Sequence, residues 1–294
     1  MTPAPIQVLF VLQPNSLLLD WAGPAEALRM ANQRLSALGR RPSFALTFVS
    51  TEIQTNTSVG ATLTGLQPLP QPLLATPDTP TWVVLVGQPG DTIATDNAPT
   101  QTLLHWLRGL RLVPKQLELL TVCAGAVLAA HAGLLAGRRV TTHHHHLTEL
   151  QAAEPRCHVV DNRVFVEDAP VYSSAGVTTG LDLMLHRIAN VCGETVAADV
   201  AQNMVVAMRR GPHDPQLSPF LKYRNHLHPA LHRVQDAVSQ QPAKDWDVSA
   251  MAQAALQSGR NVTQAAEQAG FSSDTQLRRA WHQFGLGGSP SAPT

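Results

Sequence analysis

The sequence predicts an α/β fold, with a doubly wound and mostly parallel sheet, followed by a small all-α segment. Four short, continuously apolar runs are of the kind that parallel strands buried on both faces require: residues 6–12, 44–49, 82–86 and 117–122. Helical patterns separate the strand-like runs, so right-handed crossovers should join the strands. The last part of the chain has helical patterns only, which indicates a second unit.

The helices of the first unit are predicted from apolar spacing. Leu28, Ala31 and Leu35 recur at intervals of three and four residues, so a helix is expected over residues 24–38 with Pro24 in its first turn. The same spacing predicts further helices at residues 103–110, 179–191 and 195–208. Apolar runs at 158–160 and 164–166 flank Asp161-Asn162-Arg163, which predicts a hairpin.

A Gly- and Pro-containing stretch at 209–215 predicts the boundary between the units. The predicted organisation is an α/β domain at 5–208, a linker at 209–224, a helical segment at 225–286 and a disordered tail at 287–294. Helices are expected in the segment at 229–240, 248–256, 261–269 and 273–284. Asn261 with Gln264, and Ser273 with Gln276, have capping-box spacing, and Gly270 suits the turn between the last two helices.

Composition narrows the class of protein. Hydrophobic residues make up 44% of the 294 residues and charged residues 14%, which is typical of globular domains. Lys and Arg balance Asp and Glu at 21 each, so any contact with nucleic acid is expected to be local. The three cysteines have no regular spacing, which favours a reducing compartment, the cytoplasm. No export signal and no apolar stretch long enough to span a membrane is predicted.

One cysteine stands at a predicted turn from strand to helix. The run 117–122 leads directly into Cys123-Ala124-Gly125-Ala126, and the small residues suit a tight nucleophile elbow. A thiol at the start of a helix is expected to have a lowered pKa. Cys157 and Cys192 have no such surroundings and are expected to be ordinary buried residues.

The motifs around this elbow resemble the DJ-1/PfpI superfamily. Residues 121–126, 133–137 and 140–143 resemble its stretch from the cysteine elbow to a histidine, and residues 19–26 resemble its acidic first loop. Residues 173–182 resemble the branch of GlxA-like transcriptional regulators, in which the domain is fused to AraC-type helices. The resemblance implies a flavodoxin-like sheet of the class I glutamine amidotransferase-like kind.

The resemblance also implies roles for individual residues. Cys123 would be the reactive or sensing thiol, Glu26 the carboxyl group that contacts it, and His143 the nearby imidazole. Asp20 matches the first-loop aspartate that isonitrile hydratases of the superfamily use. Backbone amides around Gly87 and Ala124 are expected to form an anion pocket. No cofactor is expected, and the effector is an unidentified small molecule.

Departures from the superfamily's enzymes favour a sensor. Ala124 stands where the intracellular proteases have a histidine and the isonitrile hydratases a threonine. A cysteine-dependent hydratase, amidase or glyoxalase-like enzyme is the alternative. The run of histidines at 143–146 is not expected to bind a metal, because adjacent residues of a helix or strand do not converge on one ion.

The C-terminal residues 262–279 resemble the second helix-turn-helix of AraC-type regulators, with its Ala-x-x-x-Gly-Phe corner. The resemblance implies DNA as a partner, with Arg278 on phosphate and the base edges contacted by Ser273, Asp274, Gln276 and Arg279. Residues 246–255 resemble only the start of the family's first motif, whose recognition helix is absent. A homodimer would present two copies of the remaining motif. The alternatives are a helical cap or dimerisation element, and a regulator remnant that has lost DNA binding.

Overall fold

The computed structural model describes residues 4–217, 229–240, 252, 255–256, 260–269, 271, 273–283 and 290. The chain divides into two compact units, Met1–Gln216 and Leu217–Thr294. Among the described residues, no helix has the length and apolarity needed to cross a membrane.

A seven-stranded sheet forms the centre of the first unit, in the order β10-β11-β7-β6-β1-β2-β5. Its strands are β1 Ile6–Val11, β2 Phe44–Ser50, β5 Gln67–Pro68, β6 Thr81–Leu85, β7 Leu117–Val122, β10 Phe165–Asp168 and β11 Val171–Ser174. Two short pairs lie outside it: β3 Gln54–Asn56 with β4 Thr62–Thr64, and β8 Arg139–Val140 with β9 His158–Val159. In the main sheet the β10–β11 pair is antiparallel, and the other strand pairs are parallel. The predicted mostly parallel, flavodoxin-like sheet is confirmed.

Helices cover both faces of this sheet. They are α1 Leu18–Ala37, α2 Ala98–Arg108, α3 Gly125–His131, α4 Leu147–Ala153, α5 Thr179–Cys192 and α6 Glu194–Asn203, and His144–His146 form a single 3₁₀ turn. α1 packs against α5 and α6, whereas α3 packs against α2 and α4. Strands β6 and β7 are buried along their whole length, as a sheet covered on both faces requires.

The structure corrects the predicted start of α1 and the predicted hairpin at 158–166. α1 begins at Leu18, so Pro24 lies inside the helix and not in its first turn. The predicted hairpin between 158–160 and 164–166 does not form, because β9 pairs in parallel with β8 and β10 pairs with β11. The local turn signal at Asp161-Asn162-Arg163 was real, since Asn162 has a φ of +51°, but the pairing partners lie elsewhere in the chain.

The first unit extends past the predicted boundary at residue 208. The Arg210 guanidinium and backbone N–H donate to the Asp182 carboxylate at 2.9 and 3.0 Å. The Asp214 carbonyl accepts from the backbone N–H of Val164, and the Gln216 side chain bonds to residue 142. The first half of the predicted linker 209–224 therefore packs on the α/β unit, because its polar groups find partners there.

The described helices of the second unit are α7 Pro229–Gln240, α8 Val262–Gln268 and α9 Asp274–Gln283. The predicted capping box is confirmed, because Asn261 and Gln264 exchange bonds between side chain and backbone. A small core consists of Ala252, Ala255, Leu256, Ala265, Ala266, Ala269, Leu277 and Trp281. Most of the predicted helix 248–256, Gly270, and the tail 287–294 except Pro290 lie outside the described residues.

Candidate functional site

The turn between β7 and α3 is a strained elbow with Cys123 at its apex. Cys123 has a φ of +55°, a conformation that non-glycine residues rarely adopt. Its backbone N–H donates to the Ser174 carbonyl at 3.1 Å, and its carbonyl accepts from the Thr142 hydroxyl at 2.8 Å. Bonds from two other segments therefore hold the strained residue in place.

Glycines make room around the cysteine. A Cβ on Gly176 would lie 2.3 Å from Cβ and 2.7 Å from Sγ of Cys123, and a Cβ on Gly125 would lie 2.2 Å from the Leu85 carbonyl oxygen. A Cβ on Gly87 would lie 2.9 Å from Cβ of Cys123. The loop after β6, the loop after β11 and the elbow thus meet at backbone contact distance. The closeness of Gly176 was not predicted, although Gly176 lies within a motif that was.

Asp20, in the first turn of α1, is the carboxyl group that contacts Cys123. Its side chain is fully buried, and it accepts from the backbone N–H of Val177 at 2.8 Å and of Gly87 at 3.2 Å. It also shares a hydrogen bond with the Cys123 thiol. Burial raises the pKa of Asp20 to about 6, and the three hydrogen bonds oppose that rise.

Glu26, which the resemblance implied as the partner of the cysteine, lies elsewhere. Its side chain is exposed and forms an ion pair with Arg29 at 2.6 Å, and the hydrogen bond from Arg29 lowers the Glu26 pKa. Because six residues correspond to about 600° of helical rotation, Asp20 and Glu26 point to different sides of α1. The assignment of Glu26 was therefore wrong, and Asp20 occupies the position.

The expected lowering of the Cys123 pKa is also wrong. Burial raises that pKa to about 12, and the charge of Asp20 and its hydrogen bond raise it further, against a lowering by the Ala124 N–H. The amide at the start of the seven-residue α3 is thus outweighed by loss of hydration and by a neighbouring negative charge. Cys157 and Cys192 are buried, as expected, and burial raises their pKa values too.

The amides expected to form an anion pocket already have acceptors. The Gly87 N–H donates to Asp20 Oδ2, and the Ala124 N–H bonds to the Cys123 sulfur. Each bond lowers the pKa of its acceptor and so favours the charged form, the Asp20 carboxylate or the Cys123 thiolate. An oxyanion would have to displace these bonds.

His143 follows Thr142, the residue that bonds to the Cys123 carbonyl. Its half-buried ring lies 4.2 Å from the ring of His144 and 5.0 Å from that of His145, centroid to centroid. Burial, followed by the charges of the neighbouring histidines, lowers the His143 pKa to about 4. In the part of the chain described, the ring contacts of His143 are with the other histidines.

Ring nitrogens within the histidine run at 143–146 lie close together, although the sequence argument excluded their convergence on one ion. Nitrogen atoms of His143, His144 and His145 all lie within 4.8 Å of one another. His143 has an extended backbone and precedes the 3₁₀ turn, so the three residues belong to neither a regular helix nor a strand. The premise behind the prediction of no metal, which concerned adjacent residues of a helix or strand, therefore does not apply to this segment.

A cavity of about 480 Å³ opens near the carboxyl edge of the sheet. It is lined by the segments that follow β1, β2 and β6, the last of which includes the start of α2: Pro14, Asn15, Glu52, Gln88, Pro89, Thr92, Ile93, Ala94, Asn97 and Pro99. Gln88 directly follows Gly87, whose amide bonds to Asp20. Open α/β sheets place ligands at this edge. The sequence argument did not identify this cavity, whose lining comes from three separate segments of the chain.

In the second unit, α9 presents a polar face and buries an apolar one. Leu277 and Trp281 are buried, whereas Ser273, Gln276, Arg278 and Arg279 are exposed and Asp274 is half-buried. The Ser273 hydroxyl accepts from the Gln276 N–H at 3.3 Å, and Arg278 lies 3.8 Å from Asp274. The residues predicted to contact DNA thus lie at the start and on the polar side of one helix.

Comparisons with known proteins agree with this geometry. Residues 6–190 match the DJ-1/PfpI family. The chain belongs to the DJ-1/PfpI family. The crystal structure of an AraC family transcriptional regulator from Pseudomonas putida covers 68% of this chain, and all of that structure aligns, with a TM-score of 0.55 and 20% identity. Drosophila melanogaster DJ-1β aligns over 70% of the chain and all of its own length, with a TM-score of 0.52 and 19% identity. Both likenesses concern the DJ-1/PfpI fold.

Several curated proteins are similar in sequence over shorter stretches, among them the HTH-type transcriptional regulator GbdR of Pseudomonas aeruginosa, 32% identical over 99 residues. The HTH-type transcriptional regulator CdhR of Pseudomonas aeruginosa is 36% identical over 119 residues, which are 40% of this chain and 34% of CdhR. An isonitrile hydratase of Pseudomonas putida is 34% identical over 97 residues, 32% of this chain and 39% of that enzyme. The DJ-1/PfpI chain therefore aligns with less than half of each of these relatives.

Proposed function

We propose that this protein is an AraC-type transcription regulator that binds DNA through α8 and α9, under the control of its DJ-1/PfpI domain. The observation that carries the proposal is the polar face of α9, with Gln276, Arg278 and Arg279 exposed above the buried Leu277 and Trp281. Helix-turn-helix proteins use such a face in the major groove. Similarity to proteins named as transcriptional regulators supports the same conclusion.

The chemistry of the elbow favours a sensing role for the first domain. A nucleophile needs its thiolate, and the buried Cys123 holds its proton beside Asp20. The amides that could stabilise an oxyanion donate to Asp20 and Cys123 instead. The 480 Å³ cavity beside Gln88 is large enough for a small-molecule effector. Binding there would act on the Gly87 loop, and hence on Asp20.

The proposed regulator works in the cytoplasm as a homodimer. One helix-turn-helix offers few contacts with phosphate and bases, so two copies on one duplex are needed for affinity at physiological salt. Light scattering of the purified protein at micromolar concentration tests this part of the proposal. A mass of two chains is expected, and a single chain of 31.6 kDa would contradict it.

DNA binding is tested with the promoter fragment upstream of the protein's own gene. At about 150 mM salt, where non-specific binding is weak, the full chain should bind this fragment more tightly than a scrambled duplex. A variant with Gln276, Arg278 and Arg279 all replaced by alanine should lose the difference. Gln240→Ala, a change at an exposed glutamine of α7, is the matched control. Equal affinity for both duplexes, unaffected by the triple variant, would refute the proposal.

A cysteine-dependent hydratase is the second candidate function. Two observations favour it: the hydrogen bond between Asp20 and Cys123, and the similarity of the chain to an isonitrile hydratase. In such a reaction water adds to the carbon–nitrogen triple bond of the isonitrile. The carbon gains the oxygen and one hydrogen, the nitrogen gains the other hydrogen, and the product is an N-substituted formamide. Formamide production from an alkyl isonitrile, lost in Cys123→Ser and retained in Glu26→Gln, would support this candidate. No turnover by the wild-type protein would exclude it for that substrate.

A further inference from the structure

We propose that His143, His144 and His145 form a binding site for one divalent transition-metal ion of the zinc class. Their ligand nitrogens lie within 4.8 Å of one another, and their rings are packed with centroids 4.2 to 5.0 Å apart. Three imidazoles are one of the ligand sets of catalytic zinc sites, with a fourth position left for water or substrate. The site lies outside the elbow, the cavity and α9.

The local backbone explains how consecutive residues converge. His143 is extended, with φ −57° and ψ 139°, and its Nδ1 accepts a hydrogen bond from the backbone N–H of His145 at 3.4 Å, a bond that a metal on that nitrogen would replace. The chain then enters a 3₁₀ turn over His144–His146. The change from extended to 3₁₀ backbone folds the first ring back over the next two. His146 is used differently, because its Nδ1 lies 2.7 Å from the Glu149 carboxylate.

A buried glutamine orients one of the three rings. The Gln216 amide donates to the Thr142 carbonyl at 3.1 Å, and its Oε1 accepts from the backbone N–H of His144 at 2.7 Å. These two bonds fix which end of the amide faces His144. The His144 Nδ1, 3.1 Å from the same oxygen, must then carry the proton, since an amide oxygen only accepts. The Nε2 of His144 is left with its lone pair for a metal.

This arrangement is the one that supports metal-binding histidines in known sites. A ligating histidine usually donates its second ring N–H to a carbonyl, carboxylate or water, which fixes the tautomer and the ring plane. Gln216 is buried and performs that role for His144. Tetrahedral zinc requires ligand nitrogens about 3.3 Å apart, given Zn–N bonds near 2.0 Å. The nitrogens, now within 4.8 Å of one another, must therefore move closer by side-chain rotation, and His145 is exposed.

Ion preference follows from the ligand type. Imidazole suits zinc, copper and nickel, whereas magnesium and calcium prefer oxygen ligands. The proposed site offers three nitrogens and no carboxylate among its ligands. It is therefore expected to bind Zn²⁺ and Co²⁺ and to ignore Mg²⁺.

The experiment is calorimetric titration of the untagged, metal-stripped full chain with ZnCl₂, with Co²⁺ absorption as a second readout. One ion per chain is expected. His144→Ala and His145→Ala should abolish tight binding, and Gln216→Ala should weaken it by about 10–100-fold, as loss of a ring-orienting partner does elsewhere. His105→Ala, at an exposed histidine of α2, is the control and should leave binding unchanged.

The outcomes separate a built site from surface binding. Equal zinc affinity in wild type, His145→Ala and Gln216→Ala would overturn the proposal, as would a stoichiometry that falls with His105→Ala. An absence of binding to the wild-type chain would also overturn it. Because His145 is exposed, its alanine variant keeps the test valid even if His144→Ala does not fold. None of these measurements involves DNA, so the result stands apart from the proposed regulator function.

Discussion

Asp20 and Cys123 are two acidic groups buried against each other, and together they hold one proton at neutral pH. The carboxyl group has a pKa raised to about 6 and the thiol one raised to about 12, both mainly by burial. Such a pair titrates as a unit, so a change at one member changes the other. As pH rises, the Asp20 carboxyl group loses its proton first, and the charge of the resulting carboxylate then keeps the Cys123 thiol protonated.

Asp20→Asn should therefore make Cys123 more reactive towards iodoacetamide at mildly alkaline pH. The substitution removes the negative charge and the acceptor that raise the thiol pKa. The midpoint of the labelling profile should fall by about 1–3 pH units, the usual effect of one adjacent charge. Mass spectrometry of each cysteine peptide after timed alkylation measures this.

Glu26→Gln is the matched control for that experiment, because it neutralises an exposed carboxylate on the same helix. Its labelling profile should coincide with that of wild type. A shift with Glu26→Gln and none with Asp20→Asn would restore the assignment that the resemblance first implied.

The stability of the protein should also record the Asp20 titration. The folded pKa of about 6 exceeds the unperturbed 3.8, so the folded state binds the proton more tightly and the charged carboxylate is destabilising. The free energy of unfolding of wild type, minus that of Asp20→Asn, should fall by about 3 kcal/mol as pH rises from about 4 to above 6. Urea unfolding of both proteins at several pH values measures the difference. A difference that rises with pH would mean that Asp20 is stabilised as a carboxylate.

At the residue scale, the sequence identified the right groups more often than the right pairings. The position of Cys123 followed from a strand that ran into small residues. Choosing between Asp20 and Glu26 required the start of α1, which Pro24 concealed, because proline is common in first turns. The direction of the Cys123 pKa depended on burial and on Asp20, and a helix-terminus argument takes no account of either.

The elbow is an element whose geometry depends on glycine. Gly176 has a φ of +98°, and a Cβ there would meet Cβ and Sγ of Cys123. Gly193 has the same φ, but a Cβ there would have no atom within 4 Å. A comparison of Gly176 with Gly193 therefore separates the cost of backbone strain from the cost of a close approach to Cys123.

Gly176→Ala should destabilise the protein more than Gly193→Ala. Backbone strain should cost about 1–3 kcal/mol at both positions. The contact with Cys123 should add a further 1–3 kcal/mol at Gly176, as overpacking does in other cores. Urea unfolding at neutral pH gives both values. Equal losses would mean that the elbow moves away from the new methyl group without strain.

At the element scale, local signals predicted elements better than partners. The apolar runs that became β1, β2, β6 and β7 were correctly located, because burial on both faces leaves a continuous apolar pattern. The capping box of α8 involves residues three apart and could be found from sequence. The strand at β9 was located, but its partner could not be, because β8 is separated from it by the histidine turn and α4.

For the whole molecule, a net charge of zero means that long-range attraction contributes little to DNA binding. If the proposed regulator binds DNA, the contacts come from a local surface, and the polar face of α9 is the candidate. In the proposed regulator, with one helix-turn-helix at α8 and α9, specific affinity would depend on two chains holding their recognition helices about one helical repeat, roughly 34 Å, apart. The two kinds of contact on α9 can then be distinguished by their salt dependence.

Gln276→Ala should weaken specific binding by about 1–3 kcal/mol and leave non-specific binding nearly unchanged, since an amide side chain reads base edges. Arg278→Ala should weaken both and reduce the salt slope by about one, because an arginine on phosphate releases a counterion. On binding, Arg278 would exchange its ion pair with Asp274, 3.8 Å away, for a contact with the phosphate. Fluorescence anisotropy with operator and scrambled duplexes over a salt series measures both terms. If Gln276→Ala lowered affinity for the two duplexes equally, the residue would not read bases and α9 would bind only the backbone.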